Sequence, residues 1–483
     1  MLMQRHHVHG RSAWPSSSAI ARAAVAVCAI VVMGGSHAVA AAMSDARLVA
    51  GTRVDRQTPD PADTSSSAKT KTKKKHKKTP QPSDGDEGSA KRTKHPSVTI
   101  GKSVTIDFTG RIEGSVRSAT PAVGLDGASG DWQDRRIGIQ GRAFKRFEFE
   151  VSRELGEDFD TSIDSSEKAA WRDVYVDTRV TKALRLEAGQ FKLPFGREEL
   201  TSEANLDFAY RSLATRVLAP GRDPGLMAHG RLLAKALEYQ VGYFTRDGSN
   251  SRTAQTEGGQ DAFVARLVAT PFASSSIRAI APLEIGAAFA DSRLDDRLGI
   301  RGRTVLGDSV FFDRVDVNGR RLRVGWEAAW ADGPVGVSTE YIRSSDERRG
   351  MGFSSTDLPN VDASGWYVAG TWAVTGERKH GRLEPHHDFL RGGAGAVELA
   401  ARVESLGFDA TTIPTTEFGF PDLSKFAGNA DRAATLGVNW YLNRYAKIQA
   451  NVIHESIDDP ARSPAPTAGG RFTSTVIAMQ FRW

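Results

Sequence analysis

The sequence has little cysteine and no long apolar run. Cys28 is the single cysteine among 483 residues, which excludes a disulfide scaffold and a zinc site built on several cysteines. With a mean hydropathy of −0.37, the chain lacks the repeated runs of roughly 20 apolar residues that a helical membrane protein needs. It has no Gly-X-Y period, and its nine tryptophans need burial, so collagen-like and fully disordered chains are excluded.

The positive charge is concentrated at the N-terminus. Residues 1–40 contain three arginines and no acid, and residues 41–95 contain 13 basic and 7 acidic side chains. The formal charge of +6 therefore leaves −3 for residues 96–483. A basic tail on a slightly acidic body does not by charge alone indicate a nucleic-acid-binding domain, and we expect no nucleic-acid partner.

The first 40 residues have the order of an export signal. A positive region from Arg5 to Arg22 precedes the apolar residues 23–35, and Ala38-Val39-Ala40 supplies a small-x-small cleavage pattern. The apolar stretch is too short to span a membrane stably. We therefore predict a signal peptide over residues 1–40 that is cleaved during export.

Two other interpretations of this segment stay open. It could be an uncleaved N-terminal membrane anchor. Cys28 could be a lipid-attachment residue, although Val27 is a poor residue before such a site and Cys28 lies inside the apolar run. Cleavage after residue 40 would leave a mature chain without cysteine.

Residues 41–95 are predicted to be a disordered Lys-rich linker. The stretch is rich in Ser, Thr, Pro, Asp and Lys, and KTKTKKKHKK (69–78) holds seven lysines. Like charges at this density repel and oppose compaction. The linker is either a solvated spacer or a basic tether to anionic envelope polymers or lipid headgroups.

From residue 96 onward apolar and polar residues alternate with a period of two, which is typical of strands with one apolar face. This part of the sequence has no long amphipathic helical pattern that would favour helices over strands. We count sixteen such runs, near 104–112, 135–144, 146–153, 171–179, 183–191, 227–233, 236–244, 262–270, 282–290, 322–330, 335–342, 365–374, 396–405, 433–441, 446–454 and 471–483.

The connections alternate in length, as in a transmembrane β-barrel. The link 375–395 breaks the rule, because its position calls for a short turn. The tight turns are Lys145-Arg146, Val180–Lys182, Ala331–Pro334 and Asn443–Ala446. The longer links are 113–134, 154–170, 192–226, 245–261, 291–321, 343–364, 406–431 and 455–470.

The two faces of the runs favour a barrel over a secreted β-sandwich, which remains the alternative. The polar face mixes Asp, Glu, Arg, Gly and Thr, which suits a water-filled lumen, and the apolar face carries Trp and Tyr near run ends as an aromatic girdle does. The chain also ends on a strand with Trp483 as a terminal aromatic. We predict an all-β, 16-stranded antiparallel transmembrane β-barrel over residues 96–483.

The body resembles the phosphate-selective porin O/P family. The resemblance implies a 16-stranded trimeric channel in the outer membrane, with an anion path lined by Arg and Lys. It covers residues from about 97 to the end and leaves the linker outside. The segments that carry it are RRIGIQGRAFKRFEFEVSRELG (135–156), AGQFKLPFGREELTS (188–202), APGRDPG (219–225), LEIGAAF (283–289), RLGIRG (297–302), GWYVAGTWAVTGE (365–377), GAVELAARVESL (395–406) and LGVNWYLN (436–443).

Arginines that share the face of the polar residues are the candidates for anion contact, because a guanidinium can donate two hydrogen bonds to phosphate oxygens. In a channel the ion must also be bound weakly enough to pass on. The resemblance adds an Arg-Arg pair, Arg135-Arg136, of which only Arg136 has inward parity, so Arg135 is expected at the rim. The candidate pore-lining residues are Arg111, Arg135, Arg136, Arg142, Arg266, Arg297 and Arg301. Further arginines with this parity are Arg185, Arg323 and Arg402.

The alternative role of these arginines is structural pairing with carboxylates. The acids that share the parity are Asp107, Glu148, Glu150, Glu187, Glu327, Glu340, Glu398 and Glu404. Because acids and bases are about equally frequent on this face, its bulk charge does not establish anion selectivity.

The link 192–226 is expected to fold inward and narrow the pore, as the third outer loop of trimeric porins does. The alternative is a surface loop that packs on a neighbouring subunit. The basic residues expected at the constriction are Lys192, Arg197, Arg211, Arg216 and Arg222.

The sequence shows no nucleophile elbow, HExxH, P-loop or paired-cysteine zinc motif. We therefore expect no enzyme, cofactor or metal site, and interpret His386-His387 as part of a solvated turn. The expected function is passive diffusion of phosphate or polyphosphate through a homotrimer embedded in outer-membrane lipid. The alternatives are a general or other-solute porin, and a structural envelope protein tethered by its basic linker.

Overall fold

The computed structural model describes residues 96–120, 129–155, 171–251, 260–306, 309–409, 428–463 and 470–483. The predicted signal peptide and linker lie outside these described residues. No helix in the described ranges is both long enough and apolar enough to cross a membrane.

Sixteen antiparallel strands close into a barrel, which confirms the predicted fold, and each predicted run falls on one strand. The barrel strands are β2 (Val104–Thr120), β3 (Ser129–Ala143), β4 (Phe147–Glu154), β5 (Trp171–Arg179), β6 (Arg185–Lys192), β7 (Arg222–Leu232), β8 (Leu237–Arg246), β9 (Gln260–Ala269), β10 (Glu284–Leu298), β13 (Asp316–Asp332), β14 (Val335–Arg348), β15 (Leu358–Ala373), β16 (Ala396–Phe408), β17 (Asn429–Tyr441), β18 (Ala446–Ile457) and β19 (Arg471–Arg482).

Three short strands complete the β-structure of the described residues. β1 (Ser97–Ile100) pairs with the start of β2, and β11 (Gly302–Arg303) pairs with β12 (Val310–Phe312) inside one long loop. Two short α-helices lie in the loop after β6: α1 (Arg197–Leu200) and α2 (Leu213–Leu218). The 3-10 helices of the described residues are Glu203–Asn205, Leu233–Lys235, Ser249–Ser251, Phe353–Ser355, Phe389–Arg391 and Pro460–Arg462.

The barrel closes where β19 pairs with β2. Beyond the last β19 pair, the backbone of Trp483 exchanges two hydrogen bonds with Gly110, with N···O distances of 3.0 and 3.2 Å. The Trp483 ring occupies the space that a side chain at residue 110 would need. Glycine at this position therefore lets the terminal aromatic lie flat on the outer face of the seam.

The two faces of the wall have opposite chemistry. Large apolar side chains point outward, as for Trp326, which is 61% exposed, and Leu436. Charged side chains point inward and are buried, as for Arg321, which is 2% exposed, and Glu398. An apolar outer belt on a wall that carries charged groups on its inner face is the arrangement that a lipid bilayer stabilises.

The link 374–395 lies on the same side as the short turns, but it folds into the barrel. Leu383 is buried in a small apolar cluster with Ala373, Ala396 and Tyr441. This packing explains why the link departs from the alternation of short and long connections.

Two long loops on the opposite side also fold inward. In the loop 193–221, Ser212 caps the N-terminus of α2, and its hydroxyl accepts a hydrogen bond from the Thr215 N–H at 3.3 Å. In the loop 299–315, Phe312 stacks on Phe408 of the wall, with ring centroids 4.1 Å apart. The main apolar core therefore lies within the barrel. Its largest members from these two loops are Leu193, Phe195, Leu213, Leu218, Ile300, Leu306, Phe311 and Phe312.

Candidate anion site in the barrel lumen

The loop 193–221 crosses the lumen and contacts distant parts of the wall. The Arg197 guanidinium lies 2.5 Å from a carboxylate oxygen of Glu284 in β10. Arg482 donates to the Asn205 side-chain oxygen at 2.9 Å, and the Ala209 N–H donates to the Asn451 side chain of β18 at 2.8 Å. These contacts hold the loop in place across the interior of the barrel.

Glu203 stands at the centre of a group of arginines on this loop and the facing wall. Its carboxylate lies 3.2 Å from Arg136 of β3, 3.2 Å from Arg172 of β5 and 3.9 Å from Arg211 of the loop, and it also contacts Arg111 of β2. We call Arg111, Arg136, Arg172 and Arg211 the arginine cluster. All four guanidinium groups converge on one carboxylate.

Strand register creates part of this cluster. Arg111 and Arg136 are directly opposite one another in the β2–β3 pair, an arrangement that is destabilising for like charges unless anions lie nearby. Asp134, which contacts both, is one such anion. The cluster is thus a site that requires negative charge.

A β-bulge brings in Arg172. Simple alternation would place it on the outer face with Val174, but the β4–β5 register shifts by one residue between Val151 and Arg153. Arg172 then turns inward and its guanidinium reaches Glu203. Sequence parity missed this residue, because the bulge leaves no clear mark in the alternation pattern.

The arginine cluster controls the ionisation of Glu203. Withdrawal from water alone would raise the pKa of this carboxyl, but Arg111, Arg172 and Arg136 outweigh it and hold the pKa well below its usual range. The Nε donors of these three arginines are buried and make no hydrogen bond to the part of the chain that the structure describes. The site therefore combines a carboxylate that favours its ionised form with guanidinium Nε groups that make no hydrogen bond to the described residues, although that of Arg136 lies 3.6 Å from the carboxylate of Glu154.

Lys192 and Arg222 stand beside the cluster and hold the ends of the loop. The Lys192 ammonium donates to the carbonyl oxygen of Thr201 at 3.3 Å and to that of Glu199. Arg222 makes a two-pronged contact with Asp173, both N···O distances being 2.9 Å. Arg211 also donates to the Thr201 carbonyl, at 2.9 Å. These basic residues contact the loop backbone and wall carboxylates.

The remaining members of the predicted constriction set lie elsewhere. Arg197 pairs with Glu284, as described above. Arg216 donates to the carbonyl oxygens of Val305 and Leu306 and so joins the two inward loops. Of the five predicted residues, the structure brings Arg211 into the arginine cluster and Lys192 and Arg222 beside it.

Two predicted pore-lining arginines pair with wall carboxylates away from the cluster. Arg266 makes a two-pronged contact with Glu327 and donates to Gln240 at 2.9 Å. Arg142 lies 3.4 Å from Glu148. Both arginines thus show the structural pairing with carboxylates that is the alternative to anion contact.

The remaining three candidates are Arg135, Arg297 and Arg301, and the side chains of Arg135 and Arg301 lie outside the arginine cluster. Arg135 lies opposite Ile112, whose side chain is exposed on the outer face, and Arg301 pairs with Asp313 at 2.8 Å within the loop 299–315. The backbone of Arg297 pairs with Val317, while its side chain lies outside the described part of the structure. Of the seven predicted residues, the structure brings Arg111 and Arg136 together in the cluster.

A second basic contact comes from the inward link 374–395. The Lys379 ammonium lies 2.6 Å from Glu398 and also contacts Asp207 of the loop 193–221. Burial disfavours the ammonium, but the carboxylates of Asp207 and Glu398 outweigh that effect and raise the pKa of Lys379. The unexpected length of this link was the signal in the sequence that it had a role beyond a turn.

Comparison with known proteins agrees with this architecture. The family model described as phosphate-selective porin O and P matches residues 107–483. Porin O of Pseudomonas aeruginosa is 25% identical over 213 residues, which are 38% of this chain and 44% of that protein. The match thus spans less than half the length of this relative.

Solved structures of outer-membrane proteins match the chain at low sequence identity. The in-vitro folded OmpT of Vibrio cholerae, in its trimer form, matches with a TM-score of 0.50 and 12% identity over 79% of this chain and 100% of that chain. An anion-selective porin from Comamonas acidovorans matches with a TM-score of 0.49 and 12% identity over the same shares.

The family match covers most of the chain, including every strand from β3 to β19. Membership of a porin family and the barrel fold together indicate an outer-membrane channel rather than an enzyme. The chain therefore belongs to the phosphate-selective porin O and P family and is an outer-membrane β-barrel.

Proposed function

We propose that the protein is a passive, anion-preferring channel for phosphate or polyphosphate, and that the arginine cluster is the place where the anion is held during passage. The observation that carries this proposal is the convergence of four guanidinium groups on Glu203 inside the lumen. Loop 193–221 narrows the path beside the cluster, so an anion that passes must approach it.

Glu203 acts as a tethered competitor of the permeating anion. Its side chain is 29% exposed and lies on a loop rather than on the wall, so it is the carboxylate best able to move aside. A phosphate that replaces it gains two-pronged hydrogen bonds from arginine. The return of Glu203 then lowers the cost of releasing the phosphate, as conduction requires.

A local cluster supports selectivity better than the overall charge of the lumen does. Wall arginines such as Arg266 and Arg402 are matched by the carboxylates of Glu327 and Glu404. These pairs neutralise one another and add little to the field along the path. The preference for anions should therefore depend on the few arginines that surround Glu203.

The proposed assembly is a homotrimer in outer-membrane lipid, exported by a cleaved signal peptide over residues 1–40 and carrying 41–95 as a disordered linker. OmpT of Vibrio cholerae, which shares the fold, has a trimer form. Chemical cross-linking of the protein in vesicles tests the stoichiometry, and N-terminal sequencing of the exported chain tests the cleavage site.

A structural envelope role is the second candidate, because two inward loops and the link 374–395 occupy much of the interior. In that case residues 41–95 would matter most and the pore would be closed. The test is the reversal potential of single channels in a KCl gradient, measured with and without residues 41–95. A chloride-selective current in both supports the channel, a cation-selective or unselective current contradicts the anion preference, and no current supports the structural role.

A further inference from the structure

A histidine and two carboxylates meet on the lumen face of three adjacent strands. Asp177 of β5, Glu187 of β6 and His229 of β7 offer one ligand atom each, all within 4.8 Å of one another. Val176 and Leu186, their neighbours in the chain, are exposed on the opposite face. The group lies toward the short-turn end of the wall, apart from the arginine cluster.

The spacing of the ligand atoms is that of a metal site. His229 Nε2 lies 3.3 Å from Asp177 Oδ2 and 3.7 Å from Glu187 Oε2. Nitrogen and oxygen ligands at about 2.0–2.1 Å from a tetrahedral Zn²⁺ are separated by roughly 3.3 Å. The three side chains can therefore surround one ion; Asp177 Oδ2 also accepts a hydrogen bond from Arg185 Nε at 2.8 Å, which leaves Oδ1 as its second ligand atom.

Hydrogen bonds do not account for this arrangement. His229 Nε2 and Asp177 Oδ1 are both buried and have no hydrogen-bond partner among the residues that the structure describes. Asp177 is 6% exposed, so its unpartnered oxygen is also withdrawn from solvent. A buried carboxylate oxygen and a buried imidazole nitrogen without partners are costly unless something binds them.

The backbone register makes the need for a cation stronger. Asp177 and Glu187 are directly opposite one another in the β5–β6 pair, where two carboxylates repel. Arg185 contacts Asp177 at 2.8 Å, but it also serves Glu148 at 2.8 Å. Arg142 also contacts Glu148, at 3.4 Å, so two guanidinium groups stand against three carboxylates in this part of the wall, and neither of them reaches Glu187.

We propose that Asp177, Glu187 and His229 bind a divalent transition-metal ion of the Zn²⁺ class, with water completing the coordination. One imidazole with two carboxylates suits Zn²⁺ and related ions, whereas Ca²⁺ and Mg²⁺ prefer oxygen ligands alone. The bound ion neutralises both carboxylates on the wall of the lumen. The proposal goes beyond the sequence, which gave no metal motif, and it is independent of the proposed phosphate specificity.

Zinc binding to the full-length protein in detergent tests the proposal. The probe is Zn²⁺, and its affinity is measured by competition with a chromophoric chelator for the wild type and for His229→Ala and Glu187→Gln. His454→Ala is the matched control, because His454 is exposed on another strand and its ring contacts Thr473. Heat-dependent gel mobility, which distinguishes folded from unfolded barrels, confirms that each variant folds.

We expect one Zn²⁺ site that His229→Ala and Glu187→Gln each weaken by at least about tenfold, while His454→Ala leaves it unchanged. Co²⁺ bound to the wild type should give visible absorption bands of low-symmetry coordination that are lost in His229→Ala. Equal zinc affinity in wild type and both site variants would overturn the proposal, as would displacement of Zn²⁺ by an equal concentration of Mg²⁺. Glu187→Gln keeps the shape of the side chain and preserves the test if His229→Ala fails to fold.

Discussion

Glu203 Oε1 lies 3.2 Å from Arg172 Nη2, although Glu203 belongs to the loop that crosses the barrel and Arg172 belongs to the wall. This contact joins the constriction to the arginines of the wall. It makes Glu203 an anion that the protein itself supplies to the arginine cluster. Predictions about permeation therefore depend first on this carboxylate.

Replacing Glu203 by glutamine should strengthen phosphate binding in the pore. Glu203→Gln removes the competing charge and keeps the side-chain shape, so we expect phosphate to block the chloride current at a concentration about tenfold lower, which corresponds to about 1.4 kcal/mol. The measurement is titration of single-channel current with phosphate. Glu347→Gln, which removes a half-buried carboxylate that pairs with the exposed Arg349 away from the arginine cluster, is the control. Unchanged or weaker block in Glu203→Gln would contradict the competition mechanism.

Acidification should leave the Glu203 contact intact over a wide range. Because the folded pKa of Glu203 is held well below its usual range, the stability that this contact adds is present above the ordinary carboxyl pKa and is lost only as the pH falls through the lowered value. We expect the difference in chloride reversal potential between wild type and Glu203→Gln to stay constant from about pH 7 down to about pH 4, where an ordinary carboxyl would already be half protonated. A step centred near pH 4 to 5 would show an ordinary carboxyl and contradict the account.

Removing the Lys379 charge should destabilise the inward link 374–395. Lys379→Met leaves Glu398 buried without its ammonium partner, and breaking a buried pair in this way costs about 3–5 kcal/mol. The raised pKa of Lys379 means that the pair is stable below the usual lysine pKa and is lost only as the pH rises through the raised value.

The unfolding midpoint in denaturant, measured on the folded barrel, checks this expectation. Lys102→Met, in the exposed turn between β1 and β2, is the matched control and should leave the midpoint unchanged. If Lys379→Met and Lys102→Met unfold at the same denaturant concentration, the ion pair between Lys379 and Glu398 contributes no stability to the inward link.

A methyl group at residue 110 should disturb the seam of the barrel. A Cβ there would overlap the ring of Trp483, whereas a Cβ at Gly370 of β15 would meet nothing within 4 Å. We expect Gly110→Ala to lower the free energy of unfolding by about 1–3 kcal/mol and Gly370→Ala to have little effect. Equal stability of the two variants would show that the terminal tryptophan is not held against β2 as described.

The barrel could be predicted from the sequence because the same alternation of apolar and polar residues recurs in every strand. Alternation over sixteen runs and the lengths of the connections reflect the lipid outside and the polar interior, and each run became a strand. The alternation also placed Arg111 and Arg136 on the inner face of their strands and Arg135 on the outer face. Local rules are sufficient where every residue follows the same pleat.

The candidate sites were less predictable because they depend on departures from the pleat and on contacts far apart in sequence. Arg172 faces inward through a bulge. Asp177 and His229 meet through strand register across β6, and Lys379 contacts Asp207 only because a link and a loop fold toward each other. A single sequence does not contain the geometry of such contacts.

The most direct test of the central claim compares phosphate block of the chloride current in wild type, Arg136→Gln and Arg301→Gln. Arg136 belongs to the arginine cluster, whereas Arg301 pairs with Asp313 in the loop 299–315, outside the cluster. The account predicts chloride selectivity, block of the wild type by phosphate, at least about tenfold weaker block in Arg136→Gln, and wild-type block in Arg301→Gln. A current that phosphate does not affect, or block that is equal in wild type and Arg136→Gln, would contradict the assignment of the anion site to the arginine cluster.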